Sequence, residues 1–163
     1  QKMRLANSNQ TIPTLKQVLQ VVQGQVPLII EYKMDRVDTK VCKLGNEALA
    51  NYKGVYCMES FHPFAVQWYR QNRPDVIRGQ LSQDFSKTKY KGIQYWLMTH
   101  LMLNFLTRPD FIAYNHKDAN QLSRRVCRQL GALSVAWTIK NEEQYDKAKD
   151  QFDLFIFDSF ILK

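Results

Sequence analysis

Two hydrophobic patterns alternate along the chain, one with a helical period and one that is short and continuous. Four apolar residues have the spacing of one helix face: Leu15, Val18, Leu19 and Val22. Pro13 suits the first turn of this helix and Gly24 suits its end. The next apolar run, residues 26–33, turns polar only at its last positions, which is typical of a strand in a parallel sheet.

The same alternation continues to the end of the chain. Further strands are predicted at residues 54–60, 75–81, 109–115, 133–139 and 152–157. Helices are predicted between them, beginning at Asp38, Pro63, Ile93, Asp118 and Asn141. The helix from Ile93 is expected to run to about residue 106, and the one capped by Asp118 to end at Gly131. Six strands alternating with helices predict βαβ units and a parallel sheet.

Two architectures fit this order of elements, an open doubly wound sheet and a (β/α)8 barrel. Neither a GxGxxG nor a GxxxxGK[ST] motif follows any predicted strand, so the nucleotide-binding forms lack their signature. A barrel of eight repeats takes about 250 residues, and this chain has 163 residues with only six predicted repeats. The length predicts a single domain over residues 1–163.

Composition and charge narrow the function classes. Hydrophobic residues make up 45% of the chain and aromatic residues 12%, which excludes a disordered protein. The net charge is +8, with about +11 on residues 1–140 and −3 on residues 141–163, which favours an anionic partner. No nucleic-acid recognition motif is present, so no nucleic-acid partner is expected. Three cysteines without a CxxC pair argue against a zinc ribbon or a disulfide framework.

Membrane signals are weak. The apolar stretch 95–106 is too short and too polar to span a bilayer, and no signal peptide is visible. Lys87, Lys89 and Lys91 lie among aromatic residues, a pattern compatible with an anionic surface, although a solvated lid loop is favoured. A cytoplasmic or membrane-associated location is expected.

The polar residues at the predicted strand ends are the candidates for chemistry, because parallel α/β folds place their sites there. Glu31 and Lys33 end the first strand on the same face, while Tyr32 points the other way. A carboxylate beside an ammonium suits a divalent cation, Mg²⁺ or Ca²⁺, together with a phosphate. For an arbitrary ExK sequence, however, a plain ion pair between the two side chains is the better interpretation.

A second tier of candidates is Glu59, Arg78, Gln80, Asn115 and Trp137. Glu59 suits a metal site or a pairing with lysine, and Arg78, on the same face as Gln80, suits a phosphate or an ion pair. Trp137 suits a pocket wall or the core, and Asn115 a site or a turn. The histidines, at positions 62, 100 and 116, show no metal-ligand spacing and are interpreted as structural or solvated.

Six motifs occur in a recognisable order: Ile12-Pro13-Thr14-Leu15, Leu28-Ile29-Ile30-Glu31-Tyr32-Lys33, Ser60-Phe61, Gly79-Gln80-Leu81, Pro109-Asp110-Phe111-Ile112 and Trp137-Thr138-Ile139. With these motifs in this order, the chain resembles the glycerophosphodiester phosphodiesterase family over about residues 11–158. Residues 79–115 especially resemble its bacterial members, some of which also carry a membrane region. The resemblance implies a (β/α)8 TIM-type barrel, of which about six repeats are present here. It implies a hydrolase of lipid and glycerol metabolism that converts glycerophosphodiesters to glycerol 3-phosphate and an alcohol with a divalent metal.

The resemblance also implies residue roles. Glu31 corresponds to a metal ligand, Lys33 to a phosphate contact and Trp137 to a wall of the substrate pocket. The family's His-Arg, Glu-x-Asp and His-Asp motifs, whose two histidines act as acid and base, are expected before Gln1, and no histidine of this chain takes those roles. Two explanations remain open: the chain is an N-terminally incomplete piece of a longer enzyme, or it is a relative without catalytic activity.

Three function hypotheses follow. In the first, the intact protein is a metal-dependent glycerophosphodiester phosphodiesterase and this chain alone is inactive. In the second, the chain is a non-catalytic module that binds a phosphate or a lipid headgroup. A third is a different phosphoester enzyme that uses Glu59 and Arg78. An incomplete barrel leaves its sheet edges unpaired, so self-association or pairing with the missing segment is expected, and membrane association through a preceding region remains open.

Overall fold

A computed structural model describes residues 3–34 and 36–161. Its strands are β1 Leu28–Glu31, β2 Tyr56–Ser60, β3 Arg78–Ser82, β4 Phe111–Asn115, β5 Leu133–Ile139 and β6 Leu154–Phe157. Its α-helices are α1 Leu15–Val22, α2 Lys40–Leu49, α3 Pro63–Asn72, α4 Ile93–Thr99, α5 Asn104–Thr107, α6 Leu122–Gln129 and α7 Glu142–Ala148.

The six strands form one parallel sheet in sequence order, β1-β2-β3-β4-β5-β6. A doubly wound sheet would reverse its strand order at a switch point. Since this order never reverses and helices connect the strands, the architecture is a partial TIM-type (β/α) barrel. The barrel prediction is confirmed, and the open doubly wound alternative is wrong.

The outer face of the sheet packs against the helices. Tyr32, directly after β1, and Met58 of β2 meet Tyr69 of α3, whereas Ile112 and Tyr114 of β4 pack in a second cluster that includes Ala148 of α7. These side chains alternate along each strand with residues of the inner face, as the period of a strand requires.

The inner face is only partly covered. A cluster of Leu81, Phe111, Ala113 and Val135 fills the middle strands, while Ile29 on the first strand is 54% exposed. The first strand was expected to be buried on both faces, and this was only partly right. Its inner side opens to solvent because the sheet is an arc and does not close over it.

Two helix predictions were wrong. The helix expected over residues 93–106 ends at Thr99 and resumes at Asn104, with Leu101 in a left-handed conformation between the two parts. Polar side chains hold this break, because the Tyr114 hydroxyl donates to the Thr99 carbonyl (2.9 Å) and the Ser82 hydroxyl to the Met98 carbonyl (2.7 Å).

Asp118 does not cap the following helix, which begins at Leu122. Its buried carboxylate instead accepts hydrogen bonds from the Asp84 backbone N–H (2.9 Å) and from Lys87 Nζ (2.5 Å). Asn141 caps its helix as predicted, accepting from the Gln144 backbone N–H at 2.9 Å. Within the described residues, no helix is long and apolar enough to cross a membrane.

We predict that Gly45→Ala destabilises the protein despite the better helix propensity of alanine. A Cβ at this position of α2 would overlap the ring of Tyr32, and overpacking costs about 1–3 kcal/mol, whereas the propensity gain is about 1 kcal/mol. Urea unfolding followed by circular dichroism measures the free energy of unfolding. Lys43→Ala, at an exposed position of the same helix, is the matched control, and equal or higher stability of Gly45→Ala would contradict the packing argument.

Candidate functional site

Two carboxylates lie side by side at the carboxyl ends of the first two strands. β1 and β2 pair in a register that makes Glu31 the direct partner of Glu59. Residues opposite each other on neighbouring strands point to the same face. Glu59 therefore shares the inner face with Glu31, two residues beyond Cys57, which packs against the inner cluster.

Glu59 is an unusual carboxylate because it is buried, with only 6% of its surface exposed. Burial raises its pKa to about 7, and the charge of Glu31 adds to this shift. Its Oε2 atom has no hydrogen-bond partner among the described residues. A buried oxygen that lacks a donor and lies beside a second carboxylate fits a bound cation.

The pair is nevertheless a partial ligand set. Within residues 3–34 and 36–161, no group of three or more histidine, cysteine or carboxylate side chains is placed to hold a metal ion. Two carboxylates supply oxygen ligands of the kind that Mg²⁺ and Ca²⁺ prefer, and these ions take six or more. The site as described therefore leaves most coordination positions to water, substrate or further residues.

Lys33 lies next to the pair, as its spacing from Glu31 predicts. Its Nζ is 3.7 Å from Glu31 Oε2, and its side chain is 82% exposed. Tyr32, between them, turns to the opposite face, where its hydroxyl shares a 2.6 Å hydrogen bond with that of Tyr69. The Ser60 hydroxyl donates to the Tyr32 carbonyl at 2.6 Å, which ties the ends of β1 and β2 together.

Gln80 supports the site and does not face the carboxylates. It lies on the outer face, since its neighbour Leu81 belongs to the inner cluster. Its Nε2 donates to the carbonyls of Ser60 (3.1 Å) and Phe61 (3.0 Å). The side chain thereby fixes the turn that follows Glu59.

Trp137 lies on the inner face and is half buried. Its indole Nε1 donates to the Ala113 carbonyl at 3.1 Å, and its ring meets the edge of Phe61 with centroids 5.4 Å apart. Phe61 also contacts Phe85, at 6.2 Å between centroids. These rings form an aromatic wall that begins two residues after Glu59.

Asn115 is the direct strand partner of Trp137. Its Nδ2 donates to Gln83 Oε1 at 3.4 Å, and its Oδ1 accepts from the Lys117 backbone N–H at 3.1 Å. Asn115 therefore both shapes a turn and presents an amide at the strand end. Sequence reasoning missed Gln83, although its position two residues after Leu81 gives it the parity of the inner face.

Arg78 is not brought to the carboxylates. It begins β3, and its guanidinium lies 3.5 Å from Asp110 Oδ2 and donates to the Val76 carbonyl at 3.3 Å. These partners precede β4 and β3, respectively, so the guanidinium is held at the amino ends of the strands. The three histidines lie apart along the chain, at the start of α3, at the end of α4 and in the turn after β4.

Comparison with known proteins identifies the fold. No protein-family model and no curated protein sequence matches the chain. A glycerophosphodiester phosphodiesterase from Parabacteroides distasonis superposes with a TM-score of 0.72 at 19% identity, over 96% of this chain and 63% of that one. The corresponding enzyme from Thermotoga maritima gives a TM-score of 0.60 at 20% identity, over 90% of this chain and 60% of that one.

A phosphodiesterase from Oleispira antarctica, solved in complex with its product sn-glycerol-3-phosphate, gives a TM-score of 0.69 at 19% identity, over 90% of this chain and 57% of that one. The chain thus spans less than two thirds of the length of these structures. Its fold is the corresponding part of the barrel found in glycerophosphodiester phosphodiesterases.

We predict that Glu59 makes the metal-free protein less stable as the pH rises from 5 to 8. The pKa of Glu59 is raised to about 7 in the folded state, against a reference of 4.5, so between these values the folded state binds more protons than the unfolded state. Stability then falls with increasing pH. Melting temperatures in chelator across this range should show a loss that is smaller in Glu59→Gln. Glu47→Gln, an exposed glutamate on α2, should behave as wild type, and an identical profile for Glu59→Gln would contradict the assignment.

Proposed function

We propose that this chain supplies part of the active site of a metal-dependent glycerophosphodiester phosphodiesterase. The observation that carries the proposal is the pair Glu31 and Glu59, with Lys33 beside it, at the carboxyl ends of adjacent strands in this fold. TIM-type barrels place their active sites at that end of the strands. The proposed reaction yields glycerol 3-phosphate and an alcohol.

Glu31 and Glu59 are the proposed cation ligands. Their like charges repel each other, and a divalent cation would remove both this repulsion and the unmet hydrogen-bonding demand of Glu59 Oε2. When bound, such a cation polarises the phosphoryl oxygens of a phosphodiester. Mg²⁺ and Ca²⁺ are both compatible with an oxygen-only ligand set.

Lys33 is the proposed phosphate contact. Its long side chain reaches Glu31 at 3.7 Å and is exposed, so it can swing from the carboxylate to an incoming phosphate at small cost. There its positive charge stabilises the negative charge that develops on the phosphoryl oxygens. The rings of Trp137 and Phe61 are the proposed contact surface for the apolar parts of a substrate.

The chain by itself is proposed to lack turnover. The resemblance assigns proton transfer to two histidines in motifs that this sequence does not contain. The edge strands β1 and β6 have unpaired outer sides among the described residues. We propose that these edges pair with further strands, from another segment of chain or from a second copy, and that the complete site forms only there.

A non-catalytic phosphate-binding module is the second candidate. The net charge of about +11 on residues 1–140 favours anionic ligands whether or not catalysis follows. Lys33, being 82% exposed, is available to such a ligand. The two candidates differ in whether turnover appears once the remaining barrel repeats are supplied.

Cation binding tests the carboxylate pair. We expect Mg²⁺ or Ca²⁺, titrated calorimetrically at pH 8, to bind the wild-type chain. Glu31→Gln should weaken binding by about tenfold or more, because cation affinity follows the number of charged ligands. Glu47→Gln is the control for the loss of one negative charge elsewhere. Unchanged affinity in Glu31→Gln would remove this residue from the site.

Phosphate recognition tests Lys33. We expect glycerol 3-phosphate to bind in the presence of the cation, and Lys33→Ala to weaken this binding by about tenfold, the loss of one charge-assisted contact. Lys43→Ala, also exposed, is the control. Turnover of glycerophosphocholine by the 163-residue chain alone would contradict the proposed inactivity. Binding without turnover in a protein that completes the barrel would favour the binding module.

A further inference from the structure

A cavity of about 380 Å³ lies beside the aromatic wall of the candidate site. It is formed by the segment between β3 and the end of α4 together with Gln121, and its lining includes Phe85, Tyr90, Tyr95, Trp96 and His100. We call it the aromatic cavity. Its volume is within the range of small-molecule sites, about 300–1,000 Å³, and such sites are commonly lined by aromatic side chains and a few polar groups.

The aromatic cavity adjoins the proposed catalytic carboxylates through two rings. Phe85, which lines the cavity, contacts Phe61 at 6.2 Å between ring centroids. Phe61 follows Glu59 by two residues and packs against Trp137. A phosphodiester has two arms, and Phe61 and Phe85 form a continuous aromatic path from the turn after Glu59 to the cavity.

The walls of the cavity are held in place by contacts from the next repeat. Buried Asp118 accepts hydrogen bonds from Lys87 Nζ (2.5 Å) and from the Asp84 backbone N–H (2.9 Å). The Phe85 backbone N–H donates to the Thr99 hydroxyl at 3.0 Å. These bonds fix the two ends of the lining segment.

The ring faces and the polar groups together indicate the chemistry of the ligand. Tyr90 stacks on Tyr95 with centroids 5.2 Å apart, and Trp96 stacks on His100 at 4.5 Å. Aromatic faces are electron-rich and attract either cations or the weakly positive C–H bonds of a saturated ring. Tyr90 and Trp96 are 46% and 50% exposed, so a ligand in the cavity can reach their rings.

A cationic ligand fits this cavity poorly. Residues 85–109 contain Lys87, Lys89, Lys91 and Arg108 and no acidic residue. The ammonium of Lys89 already lies 5.7 Å from the centre of the Tyr90 ring. The one carboxylate in the lining, that of Asp84, accepts from the Ser86 hydroxyl at 2.6 Å and lies 3.5 Å from Lys87 Nζ.

We propose that the aromatic cavity binds the alcohol arm of the substrate and that this alcohol is a hydroxyl-rich ring, a cyclic polyol. Its C–H face would lie against the rings, and its hydroxyls would pair with the phenols, the indole N–H and Lys91. Lys91 Nζ donates to the Ser86 carbonyl at 3.0 Å and has further donors free for a ligand. This inference rests on the proposed function, because it takes the carboxylate site as the place of the phosphate.

Binding of free alcohols to the purified chain tests the cavity without requiring turnover. The probes are myo-inositol, choline and glycerol, each followed by saturation-transfer NMR and by a competition titration. We expect myo-inositol to bind more tightly than choline or glycerol. Trp96→Ala and Tyr90→Ala should each weaken it by about tenfold, the upper range for one aromatic contact. Phe105→Ala removes a 75% exposed ring on α5, outside the cavity lining, and should leave binding unchanged.

The outcomes separate this inference from the proposed function. Stronger binding of choline, lost in the same variants, would overturn the polyol assignment. Failure of all three alcohols, while glycerol 3-phosphate binds as expected, would overturn the cavity as a subsite and leave the carboxylate site standing. Polyol binding without any binding of cation or glycerol 3-phosphate would overturn the proposed function and, with it, the assignment of the polyol as a substrate arm, leaving the cavity as a polyol site only. Equal losses in Phe105→Ala would show nonspecific contact and would also overturn the subsite.

Discussion

The register between β1 and β2 is the constraint on which the candidate site depends. It sets Glu31 directly against Glu59, and a shift by one residue would turn either side chain to the helical face. The ends of the two strands are tied by the Ser60 hydroxyl, which donates to the Tyr32 carbonyl at 2.6 Å. On the outer side Tyr32 is buried and shares a 2.6 Å hydrogen bond with Tyr69 of α3. Buried contacts on the outer face thus anchor the strand end that carries Glu31.

The carboxyl end of the sheet is built from neighbouring repeats in a similar way. Gln80 of the third strand fixes the turn after Glu59 through the carbonyls of Ser60 and Phe61. Asp118, from the fourth repeat, fixes the loop that follows the third strand. These two loops are therefore each held by a polar side chain from another strand–helix unit, so their shape depends on the assembled sheet.

The sequence predicted the features that depend on local patterns of apolar and polar residues. All six strands and the shared face of Glu31 and Lys33 follow from apolar runs and from the two-residue alternation of a strand. The same alternation puts Arg78 and Gln80 on one face of the third strand, but it does not tell which face is the inner one, and the structure places Gln80 on the outer face. Arg78 illustrates the same limit, since its partner Asp110 lies 32 residues away and only the paired sheet brings them together.

The wrong predictions have a common physical cause. The apolar stretch after Ile93 has the composition of one helix, yet Thr99 and Met98 give their carbonyls to Tyr114 and Ser82 and the helix breaks there. Asp118 is a residue type that commonly caps helices, yet its carboxylate accepts hydrogen bonds from the Asp84 backbone N–H and from Lys87, both in the loop after β3. In both cases a tertiary hydrogen bond outweighs a local preference of about 1 kcal/mol.

The free energies at the carboxylate pair explain why Glu31 and Glu59 fit a binding site better than a purely structural contact. Raising the Glu59 pKa to about 7 from 4.5 corresponds to roughly 3 kcal/mol against its charged form. The neighbouring ion pair of Glu31 with Lys33, whose lysine side chain is 82% exposed, contributes about 0–1 kcal/mol. The exposed lysine therefore cannot offset the charge of both carboxylates at neutral pH. A second positive charge between them would do so, and this is the electrostatic reason for the proposal that a cation binds there.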